Sequence, residues 1–221
     1  MTTKRRYHFL KACHAIDDLK QKRIKLSVFG DVNDKEELGA CYFPGYEHNL
    51  PALKTSLKAT FRFLCLAPDP SSQHMWELYG DKGHGICFGL EVNEDQVSSV
   101  SYVPEKIAID LPSDLKEQII RKRHENHGQV SDFEKQFAAK IKPVLLTKFE
   151  CWHTEHEERA FFSNQASRVG KFYFAYFDHD LYIREVILGK HCCNTEGKIA
   201  DLVKGYSGQR ISIGRNQSTR L

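Results

Sequence analysis

An α+β fold with a mixed or antiparallel sheet is the architecture that the sequence predicts. Apolar residues alternate with small or polar ones at Ile24, Leu26 and Val28, and again from Ile86 to Val92, which is typical of strands. Other stretches repeat apolar residues every three or four positions, which predicts helices between the strands. A chain of 221 residues, 41% hydrophobic and 28% charged, can bury one substantial core. We therefore expect residues 1–221 to form a single domain.

The first half of the chain predicts two strand and helix units. The first unit is a strand at Tyr7–Leu10, a helix with Ala12, Ala15, Ile16 and Leu19 on one face, and a strand at Ile24–Val28, which ends in a turn from Gly30 to Asp34. The second unit is a strand at Phe61–Leu66, a helix with Met75, Trp76 and Tyr79 on one face, and a strand from Ile86 to Val92. The loop at Pro68–Ser72 contains serines that can cap the second helix.

The second half begins with a highly charged segment, residues 113–142, which predicts one or two surface helices broken near Gly128. Strands are predicted after it at Val144–Phe149, Arg159–Phe162, Phe172–Phe177 and Tyr182–Leu188, and Asn194 is the predicted cap of a last helix carrying Ile199, Leu202 and Val203.

Charge and cysteine content narrow the class of protein. The formal net charge of +3 and a pI near 8.4 are below what a dedicated nucleic-acid domain shows, so a small anionic ligand is favoured over nucleic acid. Seven cysteines without a C-x-x-C pair predict neither a disulfide framework nor a zinc ribbon. We find no signal-peptide core and no apolar stretch of membrane-spanning length. The sequence indicates a cytoplasmic protein with reduced thiols and no membrane partner.

The densest group of polar residues lies between Lys148 and Arg159. If this segment is extended, Glu155, Glu157 and Arg159 share one face, because side chains alternate along a strand. The functional interpretation is a catalytic carboxylate whose pKa is set by a neighbouring carboxylate and a guanidinium. The alternative, a charged strand edge facing water, is the commoner arrangement.

Other candidate sites have structural alternatives of their own. Cys151, His153 and His156 are residue types that bind zinc, but their spacing matches no standard zinc pattern, and we expect no metal. Trp76, Tyr79 and His84 lie in W-x-x-Y-x-D-x-x-H-G, which fits a pocket wall for a planar ligand or, more commonly, part of the core. The remaining candidates are Tyr7 with His8, the acidic turn Asp31–Glu36, and the basic runs near residues 4–6, 20–25 and 121–123, for which a solvated face is the favoured interpretation.

Five ordered motifs carry a family resemblance. They are Tyr7-His8-Phe9; Arg23 to Ser27 followed by Asn33-Asp34 with Glu37; Trp76-x-x-Tyr79-x-Asp81-x-x-His84-Gly85-Ile86-Cys87-Phe88; Lys148-x-x-x-Trp152-x-x-Glu155-x-Glu157-x-Arg159; and Arg184-Glu185-Val186-Ile187-Leu188-Gly189. Over most of its length the chain resembles the bacterial family catalogued as domain of unknown function 2971.

A weaker resemblance, in the order of the motif-bearing strands, is to the ADP-ribosyltransferase fold, in which a split pair of small sheets flanked by helices holds NAD in a cleft. This resemblance implies that Tyr7 and His8 meet the nicotinamide or its ribose, and that Tyr79 helps to wall the pocket. Trp76 and His84, from the same motif as Tyr79, are the further candidates for NAD binding.

The same resemblance implies roles for the acidic segment. Glu157 would hydrogen-bond the nicotinamide ribose and stabilise an oxocarbenium-like transition state, Glu155 would orient the acceptor, and Arg159 would keep Glu157 ionised or contact a phosphate. The sequence lacks the serine-threonine-serine strand of the toxins. Glu158 follows Glu157 directly, so that Glu155, Glu157 and Glu158 are all candidates for the acid that faces the cleft.

The function expected from these features is that of a cytoplasmic bacterial NAD-dependent ADP-ribosyltransferase or NAD glycohydrolase in a toxin or phage-defence context, with NAD as its substrate. The first alternative is a non-catalytic sensor module that binds a nucleotide or a nucleic acid. The second is a metal-assisted nuclease that uses Cys151, His153, His156 and nearby acids.

Overall fold

The computed structural model describes residues 2–29, 38–44, 55, 57, 60–110, 141–162, 166–178, 181–206 and 209–217. These residues form a strand-rich mixture of α and β structure in several small sheets. The strands, in chain order, are β1 (Thr3–Leu10), β2 (Arg23–Leu26), β3 (Cys41–Tyr42), β4 (Phe63–Leu66), β5 (Ile86–Asn93), β6 (Val97–Ser99), β7 (Ser101–Val103), β8 (Ile107–Ala108), β9 (Thr147–Phe149), β10 (Glu158–Phe161), β11 (Ser167–Val169), β12 (Phe172–Tyr176), β13 (Leu181–Leu188) and β14 (Ser212–Arg215).

Helices are short and lie between the strands. The α-helices are α1 (Ala12–Gln21), α2 (Gln73–Leu78) and α3 (Glu196–Val203), residues 141–145 are also helical, and 3-10 helices span Asp81–Gly83, Glu94–Gln96 and Glu150–Glu155. The Ser72 hydroxyl accepts the Met75 N–H at 3.3 Å and so caps α2. Helix α1 ends where Lys22 adopts a left-handed conformation with φ 51°.

Three sheets make up most of the strand structure. The first has the order β1-β5-β13-β14, antiparallel except for the parallel β13-β14 pair. The second, β4-β10-β6, and the third, β11-β12-β2, are antiparallel, and β3-β8 and β7-β9 are parallel pairs. Strand β4 is close to all three sheets, because Tyr7 bridges to Ala67 and Ser27 bridges to Phe63.

The core covers both faces of β5. Phe88, Leu90 and Val92 belong to the main core, with α1 and β13 packed around them. The opposite face meets a smaller cluster in which Cys87 packs with Met75 and Trp76 of α2. The alternating pattern of β5 predicts one buried face, but Cys87 and Gly89 on the other face are also buried because α2 covers that side.

Most of the elements predicted from sequence are present within one to four residues of their predicted ends. One exception is Val144–Phe149, predicted as a strand: Val144 and Leu145 are helical, and the strand begins at Thr147. Apolar runs of this length do not distinguish a buried strand from a buried helix end. The predicted cap of the last helix was also wrong, because Thr195 rather than Asn194 accepts the Lys198 N–H, at 3.2 Å.

Some predictions lie outside the described residues. These are the turn from Gly30 to Asp34, the acidic turn Asp31–Glu36, and the helical segment 113–142 except for residues 141 and 142, which are helical. The seven cysteines are free thiols, with Cys87 buried and Cys151 exposed. Within the described ranges, no helix has the length and apolar character needed to cross a membrane.

Candidate functional site

Four charged side chains meet inside the protein, and we call them the ionic quartet: Lys148, Glu155, Glu157 and Arg159. The Lys148 ammonium donates to Glu155 Oε2 at 2.7 Å and to Glu157 Oε2 at 3.2 Å. The Arg159 guanidinium donates from Nε to Glu157 Oε1 at 2.8 Å and from Nη2 to Oε2 at 3.2 Å. All four residues are buried. Charged residues are almost never buried unless they are paired, and these four satisfy one another.

The backbone reaches this arrangement by a route other than the one predicted. The segment is not extended throughout, so the condition under which Glu155, Glu157 and Arg159 would share one strand face is not met. Residues Glu150–Glu155 form a 3-10 helix, and His156 has a positive φ of 45° that turns the chain. Only then does β10 begin. The three side chains still converge, because the 3-10 helix returns Glu155 to Lys148 on the preceding strand β9.

The surroundings of Glu157 favour its charged form. Burial alone would raise the pKa of this carboxyl, but the Arg159 and Lys148 cations and their hydrogen bonds hold the pKa below its ordinary value. Arg159 is itself held by the Leu145 carbonyl at 2.5 Å and lies near the rings of Phe63 and Phe29, 4.9 and 5.3 Å from their centroids. The ionic quartet therefore combines two basic and two acidic side chains.

Three partly exposed aromatic side chains border the ionic quartet, and we call them the aromatic rim: Tyr79, Tyr102 and Trp152. The Tyr79 hydroxyl donates to Glu155 Oε1, the Tyr102 oxygen accepts the Glu157 N–H at 2.8 Å, and the Trp152 ring lies 4.8 Å from Lys148 Nζ. Burial raises the pKa of Tyr102 to about 12, and burial with the Glu155 hydrogen bond raises the pKa of Tyr79 further. Both phenols therefore stay protonated and act as neutral hydrogen-bonding groups.

His8 reaches the same neighbourhood through β4. Its Nδ1 is 2.7 Å from the Cys65 carbonyl, so Nδ1 carries the proton and donates it. Cys65 pairs with Arg159 in the β4-β10 register, and its thiol hydrogen-bonds Glu157. Burial lowers the pKa of His8 to about 4, although its bond to Cys65 opposes that effect. The imidazole is therefore neutral at physiological pH, with Nε2 as its acceptor nitrogen.

Tyr7 and His8 do not point the same way, as neighbouring residues on a strand cannot. Tyr7 packs at the edge of the small cluster that contains Trp76, where Tyr79 also packs. Its hydroxyl hydrogen-bonds Glu185, and burial, followed by the charge of Glu185, raises the Tyr7 pKa. The ring lies over Gly89, where any side chain would meet it and Glu185. Tyr7 and His8 therefore contact different groups: Tyr7 the small cluster that also includes Tyr79, and His8 the Cys65 carbonyl.

The other two residues predicted to bind NAD, Trp76 and His84, are not part of the aromatic rim. Trp76 is buried, its indole N–H donates to the Pro70 carbonyl at 2.8 Å, and its ring meets Phe9 edge-on at 5.1 Å, so it is part of the core. His84 is exposed, and its ring lies 5.4 Å from that of His191. The structure connects neither residue to the ionic quartet by a hydrogen bond in the described part of the chain.

The three acids of the segment have separate partners. Glu155 and Glu157 point into the ionic quartet, whereas the half-buried Glu158 pairs with Arg6 of β1 through Nε, and through Nη2 at 3.1 Å. Glu157 and Glu158 have different partners because the side chains of neighbouring residues in an extended segment point to opposite sides of the chain. The Glu158 pair fastens β10 to β1.

The residues considered for a metal-assisted nuclease are on the surface. Cys151, His153 and His156 are exposed, and His153 Nδ1 is 2.8 Å from the Glu150 carbonyl. Among the described residues, no three or more His, Cys, Asp or Glu side chains are arranged to hold a metal ion.

Three residues of the site were not assigned a role from the sequence. Lys148 and Trp152 lie in the polar segment. The position of Lys148 before two glutamates is a signal that it could be their counter-ion. Tyr102 lies in a short strand, Ser101–Val103, with no motif around it. Its place beside Glu157 depends on the parallel pairing of β7 with β9, which no local pattern predicts.

Comparisons of the chain with protein-family models, with curated proteins and with solved structures found no match. The resemblance to domain of unknown function 2971 and the likeness to the ADP-ribosyltransferase fold therefore stay predictions.

Proposed function

We propose that this chain binds NAD and cleaves the bond between nicotinamide and ribose, passing ADP-ribose to water or to an acceptor. One observation carries the proposal. His8, Tyr79 and the Glu155-x-Glu157 segment lie in one neighbourhood: the Cys65 carbonyl of β4 accepts from His8, the Cys65 thiol hydrogen-bonds Glu157, and Tyr79 donates to Glu155. These segments are far apart in sequence, so their meeting depends on the fold.

Cleavage of the nicotinamide–ribose bond is favoured by a fixed negative charge beside the ribose carbon, where positive charge develops. As the nicotinamide–ribose bond breaks, its electron pair leaves with nicotinamide, and the ribose carbon becomes cationic. The oxygen of water or of an acceptor then forms the new bond and releases its proton. Glu157, kept ionised by Arg159 and Lys148, would stabilise that cation without needing to lose a proton first. Glu155, held by Tyr79 and Lys148, would orient the acceptor.

Two coarser features agree with this function. The chain has several small sheets, and β4 bridges to the first and the third of them, which is compatible with the split sheet that the resemblance to the ADP-ribosyltransferase fold implies. The aromatic rim offers partly exposed rings next to polar groups, which suits a planar base or nicotinamide. An enzyme that consumes NAD in this way suits the toxin or phage-defence context proposed from the sequence.

A second candidate function, a non-catalytic module that binds a nucleotide, is favoured by a different observation. Glu155 and Glu157 are both buried, and each of their carboxylate oxygens already accepts a hydrogen bond from within the protein. An oxygen has a second lone pair, so these bonds do not prevent contact with a ribose hydroxyl. The same hydrogen bonds are also those expected of an ion cluster that has only a structural role.

Calorimetric titration with NAD, together with measurement of released nicotinamide, separates the two candidates. We compare the wild-type chain with Glu157→Gln, which keeps the size of the side chain, and with the exposed control Glu105→Gln. If the chain is an enzyme, all three proteins should bind NAD, and Glu157→Gln alone should fail to release nicotinamide. If the chain is a binding module, it should bind NAD without releasing nicotinamide. If the wild-type chain neither binds NAD nor releases nicotinamide, the proposal is wrong.

A further inference from the structure

The third sheet, β11-β12-β2, has one face on which Lys25, Phe172 and Tyr176 are exposed. The register places Arg23 opposite Tyr176 and Lys25 opposite Phe174, so these residues share a face with Phe172. We call Arg23, Lys25, Phe172, Phe174 and Tyr176 the outer face. Ile24, Leu26 and Ala175 point the other way, into the main core.

Exposed apolar side chains are concentrated on this sheet. Five large apolar side chains are exposed among the described residues, and three of them, Val169, Phe172 and Tyr176, belong to β11 and β12, with exposures of 43%, 36% and 40%. Isolated exposed apolar residues are common, but a group on one sheet indicates a surface that contacts a partner.

The charge of the same strands is one-sided. Residues 23–28 and 166–177 contain four cations, Arg23, Lys25, Arg168 and Lys171, and no acid, whereas the whole chain is nearly balanced with 32 basic and 29 acidic residues. Three acids lie next to these strands: Asp17 of α1, which is largely exposed and 4.0 Å from Arg23, the buried Asp18, which interacts with Arg23 and Lys25, and the exposed Asp178 after β12. The partner that complements this surface is therefore an anion.

The cations sit against the aromatic rings. Lys25 Nζ and Lys171 Nζ lie 4.5 and 5.2 Å from the centroid of Phe172, and Arg23 Cζ lies 3.9 Å from that of Phe174. Phe172 is exposed and Phe174 is buried, so these contacts hold Lys25 and Lys171 next to an exposed ring and Arg23 over a buried one. A partner on the outer face would meet flat apolar surfaces and positive charge at the same place.

We propose that the outer face binds single-stranded nucleic acid, with bases stacked on Phe172 and Tyr176 and phosphates held by Arg23, Lys25 and Lys171. Proteins that bind single strands combine a basic surface with aromatic side chains on which bases stack. A duplex keeps its base faces inside the helix and so cannot use exposed rings. A small anion would use the charges but not the row of rings. This binding surface consists of residues outside the ionic quartet and does not depend on NAD cleavage.

Fluorescence anisotropy with labelled oligo-dT and oligo-U of about twelve nucleotides tests the proposal, since such proteins cover about 4–16 nucleotides per domain. A duplex of the same length is the competitor. Phe172→Ala and Tyr176→Ala should each weaken binding about tenfold, as expected when one stacked base is lost. Comparison of the DNA and RNA oligonucleotides shows whether the ribose hydroxyl matters.

Salt dependence tests the charges. Lys25→Ala/Lys171→Ala should lower the slope of log K against log salt by about 1.4, which is about 0.7 for each of two phosphate contacts on a single strand. The control Lys106→Ala/Lys190→Ala removes the same charge from exposed positions on other elements and should leave the slope unchanged.

Three results would overturn the proposal. One is no binding of either oligonucleotide at low salt. Another is equal loss in the control and the Lys25→Ala/Lys171→Ala variant, because binding would then follow net charge alone. The third is self-association of the chain, measured by sedimentation and abolished by Phe172→Ala, because the outer face would then contact a second copy of the chain.

Discussion

Arg159 and Glu157 form a two-bond ion pair inside the protein, with one residue between them in sequence. The guanidinium Nε is 2.8 Å from Glu157 Oε1, Nη2 is 3.2 Å from Oε2, and the two side chains are 1% and 5% exposed. The pair is further satisfied by Lys148 and by the Leu145 carbonyl. A buried pair of this kind is costly to break, because the partner that stays behind is an unpaired charge in the interior.

Substitution Arg159→Met should therefore lower the free energy of unfolding by about 3–5 kcal/mol, the range for removal of one partner from a buried ion pair. Urea unfolding measures the change. The exposed Arg5→Met is the matched control and should change stability by less than about 0.5 kcal/mol. A loss below about 1 kcal/mol in Arg159→Met would contradict the buried pairing.

Tyr79→Phe removes the hydroxyl that donates to Glu155 and keeps the ring. Because a buried acceptor loses one of its donors, we expect the free energy of unfolding to fall by about 1–3 kcal/mol. Tyr42→Phe, at a tyrosine that is exposed, should have almost no effect. Equal stability of the two variants in urea unfolding would show that Tyr79 does not hold Glu155.

His8 should make stability depend on pH on the acid side. Its pKa is about 4 in the folded protein and about 6.5 when unfolded, so the unfolded chain binds more protons between these values. Stability is therefore lost as the pH falls from about 6.5 to about 4. We expect His8 to account for about 2 kcal/mol of this loss in the free energy of unfolding, a figure that already allows for its partial exposure. This contribution should disappear in His8→Gln. An identical pH profile for both proteins would contradict this assignment.

Asp18 should act in the opposite sense. Burial, followed by the charge of Asp17, raises its pKa to about 7 against the opposing effects of Arg23 and Lys25, and its Oδ2 has no hydrogen-bond partner among the described residues. The folded protein binds the extra proton between about pH 4 and 7, so stability is lost as the pH rises through that range.

Asp18→Asn cannot ionise and should be more stable than the wild-type chain above pH 7, by about 1–2 kcal/mol, with the gain vanishing near pH 4. Urea unfolding at both pH values measures this. The exposed Asp110→Asn should show no such gain. A variant that loses stability at the higher pH would show that the Asp18 carboxylate is needed in its charged form.

Much of the fold follows from local patterns. The alternation in β5 and β13 and the helical spacing in α1 predict those elements closely, because each has one strongly apolar face. Strand β14 was not predicted: Ser212–Arg215 is short and polar, and it exists because it pairs with β13 in parallel. Pairing of this kind depends on residues distant in sequence, which local periodicity does not contain.

The candidate site could be predicted in composition but not in geometry. Glu155, Glu157 and Arg159 were named from the sequence and do meet, but not on the single extended strand considered for them, because Glu155 lies in a 3-10 helix and His156 turns the chain. The role of Lys148 and Tyr102 depends on strands β7 and β9 lying side by side. The surroundings of Trp76, by contrast, follow the usual rule that a large aromatic on a helix packs into the core.

Release of nicotinamide from NAD is the measurement that tests the central claim most directly. We predict that the wild-type chain and the Glu105→Gln control release nicotinamide at equal rates, and that Glu157→Gln, with an unchanged circular dichroism spectrum, is slower by about a hundredfold, the effect of losing one electrostatic stabiliser of a transition state. No release by the wild-type chain, or an equal rate for Glu157→Gln, would contradict the proposed reaction.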